Sequence, residues 1–119
     1  MTVITGEERD RYVAVLADWP FVNIVVWEKD DLRKLDEFLP DYSPQFVSEL
    51  LYEHAASGGE VHRKNEDRDP WKDEWKFHYD VILPIAGKAF YVETRFDERK
   101  RDWPKVLIVH IHPPGKHFK

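Results

Sequence analysis

The chain has 119 residues and a formal net charge of −5, from 18 Lys and Arg against 23 Asp and Glu. That length fits one domain, and 42% hydrophobic with 14% aromatic residues excludes wholesale disorder. Cysteine is absent, which excludes disulfides, thiolate metal sites and cysteine nucleophiles, and no run approaches the roughly 20 apolar residues of a membrane span.

The start of the chain, Met1 to Glu8, lacks the basic and apolar regions of a signal peptide. A cytoplasmic protein with no membrane partner is expected. Charge is uneven. Residues 88–119 hold eight basic and four acidic side chains, a net +4, which leaves −9 for the rest. A basic C-terminal third can attract a polyanion locally, although the whole chain repels one.

Residues 7–18 carry Tyr12, Val13, Val15 and Leu16 at helical spacing and predict a helix that stops at Trp19-Pro20. Phe21 to Trp27 is apolar and β-branched, a strand pattern. Asp30 or Asp31 can cap a short helix through Phe38, which Pro40 closes. Ser43-Pro44 then opens the clearest helix, since serine suits the N-cap and proline the first helical position. Phe46, Val47, Leu50, Leu51 and His54 share a face of it, and Gly58-Gly59 stops it.

Residues 60–64 form a short edge-strand candidate, and a charged loop runs from Asn65 to Glu74. Three strand patterns follow: Trp75 to Pro84, Ala89 to Phe96, and Lys105 to His112. A turn at Ala86-Gly87-Lys88 joins the first two. A flexible basic tail is expected from about residue 113. Helices followed by consecutive strands predict a single α+β domain over 1–119, with the N-terminal helices on one face of an antiparallel sheet.

Strand alternation places chemistry on one side. Phe77, Tyr79, Val81 and Leu83 share a face, as do Phe90, Val92, Thr94 and Phe96, and Leu107, Val109 and Ile111. The opposite face then collects His78, Tyr91, Glu93, Arg95, His110 and His112, with Val106 and Ile108 beside them. Acid–base groups, a cation and a phenol on a rigid support suit general acid–base chemistry. Cross-strand Glu–Arg and His–Tyr pairs would also stabilise a solvated sheet face with no chemistry at all. His110-Ile111-His112 offers a second alternative, a zinc pair with Glu93 or His78 as third ligand. Metal independence is the expectation, with no cofactor. No GxSxG, Walker A, GxGxxG, HExxH or EF-hand pattern occurs.

The order of elements, with Trp75 to Tyr79, the turn at Gly87, Phe90-Tyr91-Val92 and Val106-Leu107-Ile108-Val109, resembles the RelE superfamily of ribonuclease toxins. Within it, the chain looks most like the motility quorum-sensing regulator family of mRNA interferases. The helix ending at Gly58 and the following Glu60 to Lys64 match in order. The resemblance implies metal-independent cleavage of mRNA, in which the ribose 2′-hydroxyl attacks the adjacent phosphate. It places the family's lysine near Arg63 or Lys64, its tyrosine near Tyr91 (an exact offset selects Phe90), and its terminal basic residue near His110 or His112. His78 is the nearest polar counterpart of the family's glutamine. This chain departs from the usually basic family in being acidic.

Two functions follow. In the first, a toxin-like endoribonuclease, His78, Tyr91, His110 and His112 are catalytic, and Arg63, Lys64, Glu93 and Arg95 bind substrate. Its partners are RNA, the ribosome and a cognate antitoxin. In the second, a non-catalytic protein-binding module uses the surface around Trp71, Trp75 and Trp103.

Overall fold

The computed structural model describes residues 2–114. The expected flexible tail lies, from Gly115 onward, outside the described residues. The chain folds as β1 (Thr2–Val3), α1 (Gly6–Leu16), β2 (Val25–Trp27), α2 (Lys29–Phe38), α3 (Pro44–Ala56), β3 (His62–Asn65), β4 (Phe77–Ile85), β5 (Lys88–Asp97) and β6 (Lys105–His112), with a 3₁₀ turn at Trp71–Asp73. The six strands form one sheet in the order β1-β3-β4-β5-β6-β2. All pairs are antiparallel except β2 with β6. The α+β class is as expected. Among the described residues, no helix is long and apolar enough to cross a membrane.

Local chemistry explains the boundaries. The Ser43 side chain accepts a hydrogen bond from the Phe46 amide at 3.0 Å, and Pro44 occupies the first helical position of α3. Ala86 and Gly87 both have positive φ, 52° and 77°, as a two-residue hairpin turn requires, and Ile85 pairs with Lys88 across it. The expected strand from Phe21 shrinks to Val25–Trp27. Asn23 takes a positive φ of 65°, which breaks the extended run, and Phe21 and Val22 are exposed. The two-residue β1, which carries no sequence pattern, covers the edge of β3.

The core lies between one sheet face and the helices. Tyr79, Val81, Leu83 and Ile85 of β4 and Phe90, Val92 and Phe96 of β5 pack with Tyr12, Leu16, Val47 and Leu51. In β6 the strict alternation fails. Glu93 pairs with His110 but Thr94 pairs with Ile108, so Val109 is an extra residue, a β-bulge. Val106 and Ile108 therefore enter the core with Ile111, and all three are buried. Leu107 and Val109, expected in the core, turn to the opposite face.

At the centre of the core, Tyr12 and Thr94 form a polar relay. The Tyr12 hydroxyl lies 2.6 Å from Thr94 Oγ1, which donates to the Tyr79 carbonyl at 2.8 Å. With its proton committed there, Thr94 must accept from Tyr12. Burial pushes the Tyr12 phenol well above its ordinary range. Tyr12→Phe leaves a buried acceptor unfilled and is predicted to destabilise the fold by about 1–3 kcal/mol in urea unfolding, with the sheet register unchanged.

Candidate functional site

The face away from α1 and α3 carries the polar groups. His62, Asp80, Glu93 and His110 stand in one row across β3, β4, β5 and β6. His78 and Lys64, two residues along, share that side, as do Tyr91, Arg95 and His112. Arg63 does not. It pairs with Tyr79 on the helix-bearing face, where its guanidinium donates to Glu8 at 2.8 and 3.0 Å and lies 4.7 Å over the Phe77 ring. Of the two basic residues expected to bind substrate from β3, only Lys64 is on the polar face, because neighbours in a strand point oppositely.

Two buried ionic networks organise this face. Asp80, 3% exposed, accepts from His78 Nδ1 at 2.7 Å, from Lys64 Nζ at 2.9 Å and from the Tyr91 hydroxyl. Burial works to raise this carboxyl, but the bonds from His78, Tyr91 and Lys64 outweigh it and hold it below its ordinary range. The second network joins Glu66, Arg68, Glu93 and Arg95. Arg68 donates to Glu66 through Nε and Nη2, both at 2.8 Å, and to Glu93 at 2.6 and 3.2 Å. Arg95, 4% exposed, donates to Glu66 at 3.1 Å. The Arg68 hydrogen bonds bring the Glu66 carboxyl down to about 2 despite its burial.

The same arginines stack on tryptophans. Arg68 and Arg95 lie 5.9 and 5.8 Å from the Trp71 ring, and Arg95 and Arg99 lie 5.6 and 4.3 Å from the Trp75 ring. The 3₁₀ turn makes this possible, since the Trp75 amide donates to the Trp71 carbonyl and sets both indoles toward the sheet. This wall faces the first turns of α2 across a groove of about 780 Å³. Asp31, Lys34, Trp71, Trp75, Arg99 and His110 are among its lining residues.

His110 stands on the floor. Lys34 Nζ approaches its Nδ1 at 3.3 Å, and the His112 ring stands edge-on with centroids 3.8 Å apart. Burial, helped by His112 and Lys34, lowers His110 to about 4, so the ring is neutral at physiological pH. His112 also lies 5.8 Å, ring to ring, from Tyr91. Asp31 is 2% exposed, and its Oδ1 has no hydrogen-bond partner. Burial raises its carboxyl to about 6, against the pull of Lys34 and the Ile111 amide.

Thus His110 lines the groove together with Glu93 and Arg95, while His78, Tyr91, His112 and Lys64 share the face but not that lining. Sequence reading did not single out Lys34, Arg68 or Arg99, and took Asp31 only as a cap. Arg68, Trp71 and Trp75 recur every three or four residues, a helical spacing visible within the charged loop.

His78, Asp80 and Glu93 offer ligand atoms within 4.8 Å of one another and could together hold a metal ion. Such an ion would displace Lys64 from Asp80 and Arg68 from Glu93. The set differs from the expected zinc pair at His110 and His112.

Comparison with family models, curated proteins and solved structures finds no match for this chain.

Two stability predictions follow from the buried charges. Glu66→Ala leaves Arg95 buried without its carboxylate and should cost about 3–5 kcal/mol in chemical unfolding. Asp31 acts in the opposite sense. Its folded value of about 6 exceeds the ordinary 3.8, so its stabilising effect is present below about pH 3.8 and is lost as pH rises through about 6. At pH 8, Asp31→Asn should therefore be more stable than the wild type by about 1–3 kcal/mol, and the difference should vanish near pH 4.

Proposed function

We propose that the groove binds RNA and cleaves it by metal-independent acid–base chemistry, as a toxin-like endoribonuclease would. One observation carries this reading: a neutral histidine with a lysine ammonium 3.3 Å from its Nδ1, on the floor of a groove walled by stacked arginines and tryptophans. An ammonium can only donate, so Nδ1 is the acceptor nitrogen of His110, and Lys34 occupies its electron pair. A ribose 2′-hydroxyl that took the place of Lys34 would lose its proton to Nδ1, and the released ammonium would meet the charge growing on the adjacent phosphate. Trp71, 47% exposed, offers a ring on which a base can stack, and Arg99, which donates to Asp97 and Glu74, would hold a phosphate by giving up one of those carboxylates.

Other residues take supporting roles in this reading. His112 packs edge-on against His110 and holds its ring plane. His78 and Tyr91 commit donors to Asp80, so they organise the face rather than move protons in the groove. Glu93 and Arg95 hold the wall through Arg68 and Glu66. Five cationic and five acidic side chains line the groove, so no electrostatic funnel draws in nucleic acid at large. Recognition would fall to stacking and to a few placed cations, whether the RNA arrives free or on the ribosome.

A protein-binding role is favoured by different residues. Phe21, Val22 and Trp103, respectively 66%, 81% and 53% exposed, are anchors that a partner such as an antitoxin could cover.

Cleavage should rise with pH through about 4, where His110 loses its proton. His110→Ala should slow it roughly 10²–10⁴-fold. Gel assays of a single-stranded RNA with purified protein, with and without ribosomes, decide the matter. Intact RNA in both arms would leave the binding module as the better account.

A further inference from the structure

Resting on the ribonuclease reading, we infer that Asp31 is the groove's general acid, which donates a proton to the leaving 5′-oxygen while His110 accepts one from the 2′-hydroxyl. Asp31 lies in the first turn of α2, where a carboxylate ordinarily points into solvent and is favoured by the helix dipole. Asp30 does so, with its side chain 82% exposed. Asp31 instead turns inward, is 2% exposed, and lines the groove with His110 and Lys34. The backbone amide of Ile111, the residue after His110, acts on its carboxyl, and Oδ1 has no hydrogen-bond partner. A buried carboxylate with a bare oxygen destabilises a fold unless it carries a proton. Burial thus keeps at the groove wall a carboxylic acid that can donate.

The surrounding charges bear on both groups. Lys34 and Asp30 of α2 and Glu28, the residue just before it, act on Asp31. His112, Lys34, Glu93 and Arg68 act on His110 from β6, α2, β5 and the loop before the 3₁₀ turn. Burial is the largest influence on both groups, and with these charges it leaves His110 neutral above about pH 4 and Asp31 protonated below about pH 6. A base and an acid whose environments push them apart in this way have assigned roles.

In the step itself the 2′-oxygen bonds to phosphorus as its proton passes to His110 Nδ1. The bond from phosphorus to the 5′-oxygen breaks as that oxygen takes the Asp31 proton. The products are a 2′,3′-cyclic phosphate and a free 5′-hydroxyl. The imidazolium and carboxylate left behind exchange the proton through water.

The test compares wild type, Asp31→Asn and His110→Ala on an RNA oligonucleotide and on uridine 3′-(4-nitrophenyl phosphate), whose leaving group departs without a proton. Wild-type rates on RNA should peak between pH about 4 and about 6. Asp31→Asn should be roughly 10²–10⁴-fold slower on RNA, lose the decline above pH 6, and lose far less on the nitrophenyl ester. His110→Ala should be slow on both. Equal losses on the two substrates with an unmoved pH profile would assign Asp31 a structural role and overturn the inference, as would an unimpaired Asp31→Asn. Asp31→Ser substitutes if the Asn variant does not fold. A wild type inactive on both substrates from pH 4 to 8 would overturn the ribonuclease reading as well, whereas wild-type cleavage with an unimpaired Asp31→Asn would leave that reading standing.

Discussion

The site depends on a requirement of electrostatics: charges on a nearly buried sheet surface must be paired. Arg95 is 4% exposed and Glu93 3% exposed, on a face where water covers little of either. Among the described residues, neither β4 nor β6 supplies an ion-pair partner for either. The partners come from Glu66 and Arg68, which lie beyond the end of β3, and the chain must fold back over the sheet to deliver them. That return brings Trp71 and Trp75 along, and their indoles close on the same guanidiniums. One wall of the groove is thus a consequence of neutralising β5. Removing one partner from such a set costs more than the set contributes as a whole, because an uncompensated charge stays buried.

The opposite wall and the floor come from a one-residue irregularity. The bulge at Val109 turns Leu107 and Val109 to the polar side beside His110, while Val106, Ile108 and Ile111 keep the core filled. Helix α2 packs beside this segment and places Lys34 and Asp31 over it. Bulges commonly re-aim side chains next to a functional site, and here the re-aimed Leu107 and Val109 line the groove beside a histidine. Low local polarity lowers His110 and raises Asp31 by the same mechanism, since each group's charged form is the one disfavoured.

Much of this was legible in the sequence where period and capping agree. Ser43-Pro44, the Ala86-Gly87 turn and the alternation of Tyr79 to Leu83 against Phe90 to Phe96 each carry a local cause, and each sits where that cause puts it. Val109 does not, because valine fits either side of a strand and nothing in its neighbours marks an insertion. Arg63 and Lys64 look equivalent until the β3–β4 register sends one to Glu8 and the other to Asp80. Asp31, Lys34 and Arg68 were illegible as site residues because their position depends on how α2 and the 66–76 loop pack, a tertiary matter. Phe21 and Val22 misled for the opposite reason, since apolar β-branched composition says nothing of the positive φ at Asn23.

The central claim is that this groove cuts RNA with side chains alone. The chemistry of the new ends tests it most directly. RNA incubated with the purified protein in excess EDTA should yield 2′,3′-cyclic phosphate and 5′-hydroxyl termini, at the rate seen without chelator. Intact RNA would contradict the account. So would 5′-phosphate ends whose formation EDTA abolishes, a result that would move the chemistry to a metal held by His78, Asp80 and Glu93.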